Sequence, residues 1–169
     1  MIIKEIVGNR KDLSLESKEI DLLQVEWFEV SKRVQRRHTA AGREVSIKFL
    51  KEGQRLSQDD VLFIGEDYAV LVDILPCDAI IVHPHSLTEM GRVCYEIGNK
   101  HLPMFIENGE VLLPFEEPIY RWLMASFYSV RKEHMKLLNM LNANVAPHGH
   151  GGNSNSSLFS KVIGLVSKE

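Results

Sequence analysis

Residues 86–97 hold the pattern that most restricts the fold. Leu87, Met90, Val93, Cys94 and Ile97 recur at intervals that place them on one apolar stripe of a helix with 3.6 residues per turn. Ser86 and Glu89 have the capping-box spacing, so a hydroxyl and a carboxylate stand ready to satisfy amides at the helix start, and Gly98 supplies an expected stop. On the N-terminal side, Ala79-Ile80-Ile81-Val82 reads as a buried strand. Beyond the helix, strands at 104–106 and 111–113 are joined through Asn108-Gly109, a pair suited to a tight turn with positive φ. A second helix opens near Pro118, a residue tolerated in a first helical turn. It runs through Ile119, Trp122, Leu123 and Phe127 to a last extended segment at 129–135. The resulting order, βαββαβ, is the ferredoxin-like plan, in which two helices cover one face of an antiparallel sheet.

The chain before Pro76 has a different rhythm. Ile2, Lys4 and Ile6 alternate with Ile3, Glu5 and Val7 until Gly8-Asn9. Strands are expected at 22–27, 33–39 and 45–50, the last two forming a hairpin through Ala41-Gly42-Arg43. A second hairpin, 61–64 with 68–74, closes on Gly65-Glu66-Asp67. After about residue 142 the chain turns polar and small, through Pro147-His148-Gly149-His150-Gly151-Gly152, with too little apolar surface to offset ordering entropy. A helical stripe returns at Leu158, Phe159, Val162, Ile163, Leu165 and Val166 and would let the end dock on the body. The expected organisation is therefore α+β: an all-β domain at 1–75, a ferredoxin-like βαββαβ domain at 76–142, and a flexible histidine-containing tail at 143–169.

Charge and composition narrow the function classes. With 20 basic against 23 acidic residues the formal charge is -3, so no global field draws the chain to nucleic acid or an anionic membrane. The longest apolar stretches fall far short of the roughly 20 residues a bilayer span needs, and the first residues lack the sections of a signal peptide, which together point to the cytoplasm. The two cysteines, Cys77 and Cys94, fit a reducing compartment and make no CxxC site. The basic run Lys32-Arg33-Val34-Gln35-Arg36-Arg37 raises an RNA- or protein-binding adaptor as the rival reading. The candidate platform, however, offers Ile80, Ile81, Val82 and only Phe105 where exposed stacking rings are needed. No Gly-x-Ser-x-Gly turn, phosphate-binding glycine loop or His-Glu-x-x-His helix is present, so the chain is not expected to be an enzyme.

Histidines carry what chemistry remains. His101, in Gly98-Asn99-Lys100-His101-Leu102-Pro103, follows a helix and precedes a strand, so its ring is expected at the surface. Neutral imidazole suits Ni²⁺, Cu²⁺ and Zn²⁺; one ligand binds weakly, and a two-fold axis would supply the second. The bland reading is a histidine placed favourably at the negative end of a helix dipole. His148 and His150 can turn toward one ion from a glycine-containing loop, or belong to a plain solvated linker. His83 and His85 bracket Pro84 at a strand end and form, with Cys77, a secondary candidate set; the alternative is a pair of polar caps at a strand-to-loop junction. His134 and His38 read as surface residues.

The segment Met90-Gly91-Arg92-Val93-Cys94-Tyr95-Glu96-Ile97-Gly98-Asn99-Lys100-His101-Leu102-Pro103 closely resembles the signature of the urease accessory protein UreE family, which has a Tyr-x-x-Gly-Asn-Arg-His core. The resemblance extends to Ile6-Val7-Gly8, to Val25-Glu26-Trp27 and to the hairpin bearing Leu56, Asp60, Val61 and Leu62, and covers roughly residues 1–140. It implies a co-chaperone-like, partner-binding β domain followed by a ferredoxin-like domain that binds metal and dimerises. It also implies that His101 meets its twin across the dimer interface on a nickel ion, with His148 and His150 completing the shell and Gly98, Asn99 and Lys100 supporting the loop. The role implied is delivery of Ni²⁺ to apo-urease with an accessory GTPase, by a homodimer that can pair further, with Zn²⁺ or Cu²⁺ as substitute ions. This sequence departs from the family at Lys100, where arginine is usual, and at Asp59, a turn position generally held by glycine; aspartate tolerates the left-handed conformation.

Overall fold

The structure is a computed structural model that describes residues 1–51 and 53–141. The expected tail at 143–169, including His148 and His150, lies outside the described residues. The chain divides into two compact units, Met1–Pro76 and Cys77–Glu169. No helix among the described residues is long and apolar enough to cross a membrane.

The first unit contains two sheets. Strands β1 (Ile2–Ile3), β4 (Val34–His38) and β5 (Glu44–Lys48) form one in the order β1-β5-β4. Strands β2 (Gly8–Asn9), β3 (Glu19–Val25), β6 (Asp60–Ile64) and β7 (Tyr68–Ile74) form the other in the order β2-β6-β7-β3. Both expected hairpins are present, as β4–β5 and β6–β7. Two pairings are parallel, β1 with β5 and β3 with β7, and local pattern could not show them because parallel partners are remote in sequence. The opening alternation yields only the two-residue β1, and a 3-10 turn at Arg10–Asp12 follows β2. Residues Ala69, Val70, Leu71 and Val72 are all buried, so β7 is covered on both faces. Asp59 sits at φ 64, in the left-handed region expected of that turn position.

One buried carboxylate ties the two sheets of this unit together. Asp21, on β3, accepts hydrogen bonds from the Ala41 amide at 3.0 Å and from Arg43 Nη1 at 2.6 Å, both in the β4–β5 turn. Gly42 gives that turn its positive φ of 81, and Arg43 also lies over the Tyr68 ring at 4.1 Å. Burial alone would push the Asp21 carboxyl up, but hydrogen bonds from Thr39, Arg43 and Ala41 outweigh it and hold the group below its usual range. The basic run is likewise occupied. Lys32 and Arg37 pair with the buried Glu29, and Arg36 makes a two-pronged contact with Glu44.

The second unit contains β8 (Cys77–Val82), α1 (Leu87–Asn99), β9 (Phe105–Glu107), β10 (Glu110–Pro114), α2 (Glu117–Ala125) and β11 (Val130–Met135). The expected βαββαβ order is therefore present. Its sheet runs β11-β8-β10-β9 with every neighbouring pair antiparallel. Ile80, Val82, Val111 and Leu113 face Val93 and Ile97 of α1 and Leu123 of α2 in one cluster, with Met90 and Cys94 packed against it, so the helical stripe lies where its spacing placed it except at Leu87, which is exposed in the first turn of α1. Asn108 at φ 51 and Gly109 at φ 80 form the tight β9–β10 turn. Phe127 is a correction: it stands beyond the end of α2, 96% exposed, and contributes nothing to the core.

The Asp21 anchor yields a test in the first unit. A carboxyl held lower in the folded than in the unfolded chain, where it titrates near about 3.9, stabilises fully above that pH and loses the contribution as pH falls through the lower folded value. Asp21→Asn is expected to cost about 1–2 kcal/mol at pH 7, a figure kept modest because Arg43 is one-third exposed. Below about pH 4 the gap between the two proteins should narrow in urea unfolding series. A gap that stays constant down to pH 2.5 would remove the ion pair as its cause.

Candidate metal centre

Helix α1 does not stop at Gly98. It continues through Asn99, caps at Lys100 and ends on His101, which takes the left-handed conformation at φ 54. The His101 amide donates to the Gly98 carbonyl at 2.9 Å, and the Leu102 amide reaches back to the Ile97 carbonyl at 3.5 Å. Those two bonds are the pair that defines a Schellman stop, and His101 occupies the position usually given to glycine. Leu102 packs against the core cluster that includes Ile97, supplying the apolar contact that accompanies such a stop. A non-glycine residue in this conformation costs about 1–2 kcal/mol, and histidine is among the types found there more often than most.

The helix stop fixes where the imidazole goes. Its neighbours on both sides are tied down, Lys100 by its ammonium over the Trp122 ring at 4.5 Å and Leu102 by the core, while His101 itself is exposed. Lys100 thus joins the end of α1 to α2 through a point charge on an aromatic face, a role that needs no planar guanidinium fork. Trp122 is the supporting residue that sequence reading missed; its place on the apolar stripe of α2 signalled burial only. Gly98 and Asn99 are exposed within the last turn of α1.

The same helix leaves one side uncovered. Leu87, Gly91, Tyr95 and Gly98 lie within about 80° of one another around the axis. Leu87 is 89% and Tyr95 71% exposed, and a Cβ added at Gly91 or Gly98 would meet nothing within 4 Å. Glycine inside a helix costs about 0.5–1 kcal/mol relative to alanine, and no packing within the described chain compensates for it.

The secondary candidate set is only partly assembled. His83 and His85 have ring centroids 5.4 Å apart, but Cys77 begins the strand that His83 follows, which separates them by roughly 20 Å at ~3.3 Å per residue. Cys77 therefore does not join them. Glu110 does, because antiparallel register places it beside His83: its Oε1 lies 3.0 Å from His83 Nδ1. Arg131 grips the same carboxylate through both terminal nitrogens, at 2.6 and 2.7 Å. That grip, together with His83, holds the Glu110 carboxyl below its usual range, and Glu110 with Glu133 holds the Arg131 guanidinium above its own. His134, expected at the surface, is exposed and has Nδ1 3.0 Å from Asp78. Cys94 is half-buried, its thiol pushed up by burial and directed to the Met90 sulfur at 3.7 Å. Among the described residues, no group of three or more His, Cys, Asp or Glu side chains is arranged to hold a metal ion, so an ion bound at His101 needs ligands from elsewhere.

Comparison with known proteins gives these features a family. Residues 3–75 match the model described as the UreE urease accessory protein, N-terminal domain, and residues 78–156 match the one for its C-terminal domain. A urease accessory protein UreE from Flavobacterium johnsoniae is 54% identical over 166 residues, covering 98% of this chain and 99% of that one. Proteins of the same name from Haemophilus influenzae and Acetivibrio thermocellus are 42% and 36% identical, covering 88% and 89% of this chain and 82% and 97% of theirs. Matched along both of its units and nearly end to end by such relatives, the chain belongs to the UreE family of urease accessory proteins.

Proposed function

We propose that this protein carries Ni²⁺ for the assembly of urease, as a homodimer in which His101 of each copy ligates one shared ion. The observation that carries the reading is the position of His101: an exposed imidazole at a rigid helix stop, held outward between two anchored neighbours. A single imidazole of this kind is a weak site, and its symmetry mate raises the ligand number without any new residue. The bare side of α1 supports the same assembly, since glycines at Gly91 and Gly98 admit the backbone of a second copy while Leu87 and Tyr95 offer apolar contact. His148 and His150 are the remaining ligand candidates. Few ligands per ion suit a protein that must give its cargo up to apo-urease, with an accessory GTPase as the expected intermediary. The β unit is proposed to hold those partners, and the cytoplasm is the proposed site of action.

Separating the ligand from the helix stop makes the test clean. His101→Gly keeps the left-handed stop and is expected to unfold within about 1 kcal/mol of the parent, since relief of strain and the added chain entropy of glycine offset each other. Isothermal titration of the parent with Ni²⁺ should show its tightest step at about one ion per pair of chains. The glycine variant should lose more than about tenfold in that step, at least about 1.4 kcal/mol. Equal affinity in the two proteins would sink the assignment.

A second test addresses the assembly. Gly91→Ala should stabilise the isolated helix by about 0.5–1 kcal/mol while weakening self-association, which sedimentation velocity across a dilution series resolves. Unchanged dimerisation would place the contact on another face.

A further inference from the structure

We infer that His83 and His85 form a second, labile divalent-cation site, distinct from His101, with Glu110 as the group that orients it. The inference goes beyond the dimer reading and stands on different residues. In a metal-bound imidazole the ring centre lies roughly 3.2 Å from an ion held at ~2.1 Å, so two rings at a tetrahedral angle have centres roughly 5.2 Å apart. The centroids of His83 and His85 are 5.4 Å apart before any ion arrives. Pro84 between them fixes one backbone torsion, and the adjoining segments are held at both sides. The His83 amide donates to the Ser129 carbonyl at 2.9 Å, and the His85 amide donates to the Glu89 carboxylate at 2.8 Å.

The surroundings have the order of a metal site's outer shell. Glu110 lies 3.0 Å from His83 Nδ1, the contact through which a carboxylate selects the tautomer that leaves Nε2 as the ligand atom. Arg131 holds that carboxylate in place with two hydrogen bonds. Its positive charge is answered a second time by Glu133, which accepts from Nε at 2.6 Å. Glu89, which accepts from the His85 amide, places a second carboxylate beside the pair. Both imidazoles are exposed. Two protein nitrogens leave the other positions of the ion to water, which makes the site fast to fill and fast to empty.

The experiment uses the full chain carrying His101→Gly, His148→Ala and His150→Ala, so that its outcome is independent of the dimer site. Titrated with Zn²⁺ as a diamagnetic probe and followed by ¹⁵N NMR of the imidazoles, this protein should bind one weak ion per chain. The His83 Nε2 resonance should move and its Nδ1 resonance should keep its place. Binding should fall more than tenfold in His85→Ala, which alters only an exposed loop side chain, and roughly 10- to 100-fold in Glu110→Gln, the range for loss of an orienting carboxylate. Absence of binding in the triple variant, or binding that persists unchanged in His85→Ala, overturns the proposal.

Discussion

Everything at the end of α1 depends on a histidine doing the work that glycine usually does. The Schellman stop must reverse the chain so that Leu102 can return to the core, and the residue at the turning point must take positive φ. Glycine would do this without strain. Histidine does it at a cost of about 1–2 kcal/mol, and in exchange the imidazole leaves the helix at a fixed point. A histidine one turn earlier, with ordinary helical φ, would have its direction set by the helix face instead. The strain and the exposure are two consequences of one backbone geometry.

Helix α2 ends by the same device. The Phe127 amide donates to the Met124 carbonyl at 3.0 Å, the Tyr128 amide to the Leu123 carbonyl at 3.3 Å, and Phe127 takes φ 63. Tyr128 returns to the core as Leu102 does, and Phe127 is thrown into solvent as His101 is. The two stops share a logic: the residue after the turn supplies the apolar anchor, and the residue in the turn is free to be chosen for something other than packing. This also explains why the apolar stripe misassigned Phe127. Helical spacing tells which residues share a face only while the helix lasts, and Phe127 lies past its end.

Most of the second unit was legible because its signals are local. Capping spacing at Ser86 and Glu89 matches the observed bond from the Glu89 amide to Ser86 Oγ, and Asn108-Gly109 forms the turn its composition demands. What was not legible depends on register. The parallel pairing of β3 with β7 and the meeting of Glu110 with His83 are set by how remote strands align, and no nearby residue encodes that alignment. Cys77 illustrates the converse error. Its soft sulfur made it an attractive partner for two histidines, yet an extended strand carries its ends apart, and β8 places the thiol at the wrong end. The stop at Gly98 failed for a subtler reason: a glycine near a helix end is the usual choice for positive φ, but here the core anchor at Leu102 decides where the chain turns, and that falls three residues later.

On the proposed reading, these placements bear on how a protein can carry an ion that it must not keep. A structural metal site closes four ligands around the ion and contributes to folding, so release and unfolding become coupled. Among the described residues, neither unit holds such a cluster of ligands. Among its described residues the core of the second unit is built from apolar side chains, and His83, His85 and His101 are exposed at a strand end, a loop and a helix stop outside it. Folding free energy and binding free energy are thereby kept apart. On that reading, a chain built in this way gains or loses an ion at a few exposed nitrogens while the sheet and helices behind them stay as they are.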